Sequence, residues 1–191
     1  MPFEDAERWN KRYQSYTGLN TKAPVSFLVE NLNLLPQYGL AMDIAMGSGR
    51  NSGVLINHGL SVVGIDISLQ AALNAKKKYP KLIAVVADLT NFVIPSSIKF
   101  DVILNFYYLQ RTLIKELHRY INPFGFLIIE TLTAKMKIYQ PDTPDDYLLQ
   151  ENELPGLLGD HWRIIKFREG WFASQTGKQK SVASLIAQYF P

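Results

Sequence analysis

Four short apolar runs, at residues 40–46, 61–66, 82–87 and 100–106, mark out the first half of the chain. Each is a near-continuous stretch of Val, Ile, Leu and Phe rather than an alternation of apolar and polar residues, the pattern of parallel strands covered on both faces. Parallel strands cannot be joined by tight hairpins, so each gap between them must hold a crossover. Residues 50–58 supply one, with Val54 and Leu55 apolar and Gly59 suited to the left-handed position that ends a helix. Residues 68–78 supply another, opened by Ser68 as a cap, with Leu69, Ala72 and Leu73 apolar and Pro80 beyond its end. Residues 112–120 place Leu113, Ile114 and Leu117 at helical spacing before Asn122-Pro123-Phe124-Gly125, a turn signal that introduces a fifth strand at 126–131. Ahead of the first strand, residues 24–35 set Val25, Leu28, Val29 and Leu32 on one helical face and stop at Pro36.

Helix and strand in this alternation predict a doubly wound, three-layer α/β fold of Rossmann-like type with right-handed crossovers. Residues 162–167 and 182–189 read as two more strands around a polar hairpin tip at 174–180. The expected sheet is thus seven-stranded and mostly parallel, closed by a C-terminal antiparallel hairpin. At 191 residues and 47% hydrophobic, the chain suits a single domain over 1–191. Residues 133–160, with Pro141, Pro144 and Pro155 among several acids, read as an insertion.

Composition removes several kinds of chemistry. With no cysteine there is no disulfide, zinc-thiolate site, iron–sulfur cluster or thiol nucleophile. His58, His118 and His161 stand at no metal-ligand spacing, so no metal is expected; His161, beside the insertion, is the histidine to test as a base. The formal charge of +3 is scattered apart from Lys76-Lys77-Lys78, which complements the dipole at a helix end, and no nucleic-acid partner is expected. The first residues are charged and no apolar run reaches the ~18 residues that span a bilayer, so a cytoplasmic protein without membrane contact is expected.

In open α/β sheets ligands bind beyond the carboxyl ends of the strands, and those positions are polar here. The first strand runs into Asp43-Ile44-Ala45-Met46-Gly47-Ser48-Gly49-Arg50-Asn51, whose glycines permit a tight turn and close approach of a ligand to the start of a helix. The second ends in Asp66 and Ile67, where a carboxylate can accept ribose hydroxyls, and the third in Asp88 and Leu89, placed to meet an adenine. The fourth runs into Asn105-Phe106-Tyr107-Tyr108.

Taken in order, these segments resemble class I S-adenosylmethionine-dependent methyltransferases. Residues 42–51 are similar to their first motif, Gly64 to Ser68 to the second, Ala87-Asp88-Leu89 to the third, residues 100–105 to the fourth, and residues 122–127 to the turn before their fifth strand. Met46 and Phe124 depart from the usual residues at their positions, a change of packing more than of chemistry. Arg8-Trp9-Asn10-Lys11-Arg12-Tyr13 and Tyr147-Leu148-Leu149-Gln150 further resemble the small tellurite-resistance-type methyltransferases. The resemblance implies S-adenosylmethionine as cofactor, bound by Trp9, Arg12, Asp43, Ala45, Gly47, Gly49, Arg50, Asn51, Asp66, Ile67, Asp88, Leu89 and Asn105. It makes residues 1–36 a lid of N-terminal helices and sets the insertion near the acceptor pocket.

The acceptor is expected to be a small molecule, with Asn105, Tyr107 and Arg111 as the candidate catalytic residues and Tyr108 beside them. Soft acceptors such as a thiol or a reduced chalcogen oxyanion need no base, whereas oxygen or nitrogen acceptors usually do. Two other readings compete. A nicotinamide or flavin oxidoreductase shares the strand, glycine turn and helix, but Ser52 stands where its fingerprint needs Gly or Ala. A methyltransferase-like binding module without catalysis is the other. Oligomeric state is not encoded in any of these motifs.

Overall fold

Strands form where the apolar runs lie, and helices form where caps and glycines bound the segments between them. The computed structural model describes residues 2–14, 22–90, 94–95, 97–173 and 177–191. Its elements are α1 (Pro2–Gln14), α2 (Ser26–Glu30), β1 (Leu40–Ile44), α3 (Arg50–His58), β2 (Ser61–Asp66), α4 (Leu69–Lys78), β3 (Ile83–Val86), β4 (Phe100–Phe106), α5 (Arg111–Glu116), β5 (Ile121–Leu132), α6 (Glu153–Gly156), β6 (Trp162–Ala173) and β7 (Gln179–Tyr189). The sheet is seven-stranded, in the order β3-β2-β1-β4-β5-β7-β6. The chain divides into two compact units, Met1–Pro95 and Ser96–Pro191.

In the first unit β1, β2 and β3 are parallel, with Asp43 opposite Gly64 and Ile65 opposite Val85. Left-handed glycines bracket α3: Gly49 at φ 73° before it and Gly59 at φ 116° after it. A Cβ on Gly59 would collide with the Gln37 carbonyl, so glycine is required there on steric as well as conformational grounds. The α4 helix starts as expected, with Ser68 Oγ accepting the Ala71 N–H at 3.1 Å. The helix expected over 24–35 is broken in two: α2 covers Ser26–Glu30 and a separate 3₁₀ turn covers Leu32–Leu34. Asn31 is the reason, because its buried side chain donates to the Phe27 carbonyl at 2.7 Å, and the backbone leaves the helical path there.

In the second unit β4 and β5 are parallel, while β5–β7 and β7–β6 are antiparallel, which gives the expected C-terminal hairpin. Its strands are longer than the 162–167 and 182–189 segments read from the sequence; of the expected tip, residues 174–176 lie outside the described residues. The turn expected at residues 122–125 is instead a bulge inside β5. Phe100 pairs with Ile121 and Val102 with Phe126, so four residues of β5 stand opposite Asp101. Phe124 takes a φ of 64° to make the excursion, and Asn122 Nδ2 donates to Asp101 Oδ1 at 2.8 Å across it. The helix expected over 112–120 ends at Glu116 and continues as a 3₁₀ turn, Leu117–Tyr120.

The insertion holds two 3₁₀ turns, Ala134–Ile138 and Asp145–Tyr147, and the short α6. Among the described residues no helix is long and apolar enough to cross a membrane. Because Ser68 both caps α4 and donates to Asn10 of α1 at 2.8 Å, Ser68→Ala is expected to cost about 1 kcal/mol. A lowered urea midpoint at unchanged m-value would show it; an unchanged midpoint would remove the cap from the account.

Candidate functional site

The carboxyl ends of the first unit's strands are built around buried acids that hold the loops. Asp43, at the end of β1, is 1% exposed and accepts the Ser52 hydroxyl of α3 at 2.5 Å. Burial pushes its carboxyl up to about 7 from an ordinary 3.8, against the opposing pull of Ser52 and Arg50. Asp66, at the end of β2, accepts the Gly47 N–H on Oδ2 at 2.8 Å and the Ser68 N–H on Oδ1 at 2.9 Å. Its carboxyl is also raised by burial, with the backbone N–H groups of Ser68 and Gly47 drawing it back. Asp88 accepts both the N–H and the hydroxyl of Thr90, at 2.9 and 2.7 Å, and so closes its own turn.

The glycine turn is formed as the sequence implied, but its neighbours differ. Ala45, Gly47 and Gly49 all take positive φ, at 52°, 58° and 73°. A Cβ on Gly47 would strike the Tyr13 hydroxyl of α1, and one on Gly49 would press on Ala75 and Tyr79 at 3.1 and 3.3 Å. Met46 turns inward, its sulfur lying where a Cβ on Gly64 would be. Gly53, one residue past the expected fingerprint position, gives way to the Tyr79 ring. Ser52 instead serves Asp43.

Two expected cofactor residues face the preceding segment. Arg50 donates to the Ala23 carbonyl at 2.9 Å, and Asn51 Oδ1 accepts the Val25 N–H at 2.9 Å. Together they tie the stretch between α1 and α2 to α3. In α1 itself Arg12 lies over the Trp9 ring, 4.9 Å from its centroid. The docking of α1 falls to residues the sequence did not single out. Asn10 Oδ1 accepts from Ser68 Oγ and from the Gln70 N–H, at 2.8 and 3.1 Å, and the Tyr13 carbonyl accepts from Asn74. Ile67 and Leu89 are half-buried in the loops after β2 and β3.

In the second unit Asn105, near the end of β4, is fully buried, and neither its amide oxygen nor its amide nitrogen has a hydrogen-bond partner among the described residues. Leaving both ends of a buried amide unpaired costs about 1–3 kcal/mol or more. Tyr107 follows at φ 60° and donates its hydroxyl to Glu130 at 2.8 Å; Tyr108 donates to Gln110 at 2.8 Å. Arg111 forks onto Glu153, Nε to Oε1 at 2.5 Å and Nη2 to Oε2 at 3.0 Å, and donates to the carbonyls of Asp146 and Leu148. The fork holds Glu153 below its ordinary range and fastens the insertion to α5.

His161 sits with His118 and Tyr189, ring centroids 6.3 and 6.1 Å away, beside a cavity of about 420 Å³. That places it where Tyr189 pairs with Trp162, next to the start of β5, whereas Tyr107 and Glu130 lie at the other end. His161 is therefore not beside the other acceptor-side candidates. Glu130 was missed, although an acid in the run Phe126-Leu127-Ile128-Ile129-Glu130 is a visible break in the pattern.

A methyltransferase-domain family model matches residues 42–129, from β1 through most of β5. Those residues are a methyltransferase domain. The match covers a little under half of the chain, whose seven-stranded sheet is the fold of S-adenosylmethionine-dependent methyltransferases. Its fold is shared with TehB from Haemophilus influenzae, at TM-score 0.74 and 18% identity over 89% of this chain and 64% of that one. A methyltransferase from Methanosarcina mazei matches at TM-score 0.68 and 22% identity, over 87% and 99% of the two chains. The magnesium protoporphyrin IX methyltransferase of Synechocystis PCC 6803, with S-adenosylhomocysteine bound, matches at 0.64 and 19%, over 97% and 86%. No curated protein matches the sequence significantly. In the first unit the turn's backbone is exposed to close approach only where Ala45, Gly47 and Gly49 take positive φ, and the Tyr13 hydroxyl of α1 occupies the space against Gly47.

A carboxyl raised in the folded state contributes stability below the unfolded value and loses it as pH climbs to the folded one. For Asp43 that window runs from 3.8 to about 7. Asp43→Asn should therefore gain on the natural protein steadily as urea midpoints are compared from pH 4 to pH 8, with the gap levelling above pH 7. A constant gap would mean that Asp43 ionises as freely in the fold as out of it.

Proposed function

We propose that the protein transfers a methyl group from S-adenosylmethionine to a small-molecule acceptor by in-line displacement, with residues 1–191 working as one domain. Bound S-adenosylmethionine supplies a methyl group already activated on a sulfonium sulfur. The protein then has to align the acceptor and keep water away, which is where positioning lowers the barrier.

The observation that carries this reading is Asn105, a buried amide with no partner among the described residues. Folding alone gives no reason to place it in an apolar strand, whereas a polar ligand does. Ala45, Gly47 and Gly49 shape the turn, Ile67 and Leu89 offer apolar surface on either side of an adenosine, and Asp66 and Asp88 accept from its polar groups. Asp43, Arg50 and Asn51 act behind them by holding the turn and the segment from α1. Trp9 and Arg12 belong to the lid. Tyr107 is the catalytic candidate on the acceptor side, and Arg111 is a positioning residue that holds the insertion. The methyltransferase-domain match and Ser52's place on Asp43 leave the oxidoreductase reading without support.

Two variants test the assignment. Asn105→Leu should raise the thermal midpoint of the ligand-free protein by a few degrees, because an unpaired amide is replaced by a side chain of similar size. It should also shrink the stabilisation by S-adenosylhomocysteine. A lower midpoint with an undiminished ligand shift would give Asn105 to the fold instead. Asp66→Asn keeps an oxygen for Gly47 but turns its amide nitrogen to the Ser68 N–H, so the thermal midpoint should fall somewhat, while S-adenosylhomocysteine should weaken at least tenfold by calorimetry. Equal affinity would withdraw Asp66 from the ribose. A catalytically silent module would bind S-adenosylhomocysteine normally and release none from S-adenosylmethionine with any acceptor.

A further inference from the structure

A polar row crosses the second unit's sheet where apolar side chains would fold as well. Phe106 of β4 pairs with Glu130 of β5, Glu130 with Ser184 of β7, and Ser184 with Arg168 of β6. Directly paired residues share a face, so Glu130, Ser184 and Arg168 stand side by side. Their neighbours two positions away on that face include Ile128, Val182 and Ile186, all buried. Glu130 is 4% exposed, accepts the Ser184 hydroxyl at 2.8 Å, and has the Arg168 guanidinium 3.7 Å away.

The Tyr107 phenol completes the set. Strict alternation along β4 would send Tyr107 to the face opposite Phe106 and Glu130. Its φ of 60°, uncommon for a bulky aromatic residue, breaks the alternation and brings the hydroxyl to Glu130 Oε1 at 2.8 Å. The Lys180 ammonium lies over the same ring, 4.4 Å from its centroid. A strained backbone, a buried carboxylate and the Lys180 ammonium thus converge on one phenol at the carboxyl end of β4, with Arg168 behind the carboxylate.

We propose that Tyr107 and Glu130 form a proton relay for the acceptor, which is accordingly a protic oxygen or nitrogen group rather than a soft chalcogen. This rests on the methyl-transfer reading above. As the acceptor's heteroatom loses its proton to the Tyr107 oxygen, the phenol's own proton passes to Glu130 Oε1. The electron pair left on the heteroatom forms the bond to the methyl carbon, and the carbon–sulfur bond breaks with its pair going to sulfur. The products are the methylated acceptor, a neutral sulfide and a protonated Glu130, which returns its proton to water through Tyr107. Arg168 stands 3.7 Å from the Glu130 carboxylate and Lys180 lies over the phenol ring. Tyr107 is the catalytic residue, and Glu130 acts through it as a positioning residue.

The test uses the full chain with tyrosine labelled with ¹³C at Cζ, and Tyr107→Phe to identify the Tyr107 signal. That signal should step with pH as Glu130 ionises, and Glu130→Gln, which keeps an oxygen for the phenol, should abolish the step. Methyl transfer is measured against a protic panel of phenol, catechol, an aliphatic alcohol and a primary amine, and against 2-mercaptoethanol, selenite and tellurite. Turnover on a protic acceptor should fall 100-fold or more in kcat in Glu130→Gln and lose its acidic limb in the pH profile. KM for S-adenosylmethionine and affinity for S-adenosylhomocysteine should stay within twofold. An absent NMR step, a Glu130→Gln kcat within threefold, turnover on the soft panel alone, or turnover on neither panel would each overturn the relay. With S-adenosylhomocysteine still bound, such a failure would leave the methyltransferase reading standing; loss of that binding in the unaltered protein would remove both.

Discussion

The Gly47 N–H points at an oxygen of Asp66, 2.8 Å away, and the local architecture of the first unit hangs on that bond. A turn with three positive-φ residues has little of its own to hold it, since such conformations are costly for Ala45 and entropically expensive for the glycines. Asp66 supplies the restraint from the neighbouring strand, and its other oxygen fixes the loop that leads to α4. Asp43 repeats the device from behind through Ser52. Parallel strands buried on both faces leave polar groups nowhere to go but the strand ends, and there the acids first serve the backbone.

That order of duties changes how the acids are understood. Each carboxylate has a structural partner in its own unit, so a substitution that deletes one disturbs the loop as well as any ligand. Only variants that preserve the acceptor oxygen can separate the two contributions. The same reasoning applies to Arg50 and Asn51, which bind Ala23 and Val25 and so connect the helix after the turn with the segment that follows α1.

Strand positions were legible in the sequence because burial on both faces writes a continuous apolar run, and helix starts were legible where a cap such as Ser68 marks them. The break at Asn31 was hidden, since a single polar residue in an apolar helical face gives no sign of which carbonyl it will choose. So was the bulge: Asn122-Pro123-Phe124-Gly125 reads as a turn between elements, and only pairing on both sides of it shows that β5 runs through. At the site, periodicity places residues on loops but does not say what they bond, which is why Arg111 and Asn51 look like ligand residues until Glu153 and Val25 are seen. Glu130 and Tyr13 were overlooked for another reason. Their importance comes from partners far away in the chain, which no local pattern records.

The bulge has one more effect. Two smooth parallel strands of Val, Ile and Leu could slide by a residue and still pair, but β4 and β5 cannot, because one residue must always face four. The irregularity works as a notch that allows a single alignment, much as an off-centre pin allows a connector to seat one way only. A slip would turn Glu130 to the face opposite its present one relative to β4, away from the Tyr107 hydroxyl. The sheet's least regular stretch, at the entrance of β5, therefore keeps its most polar row in phase at the exit.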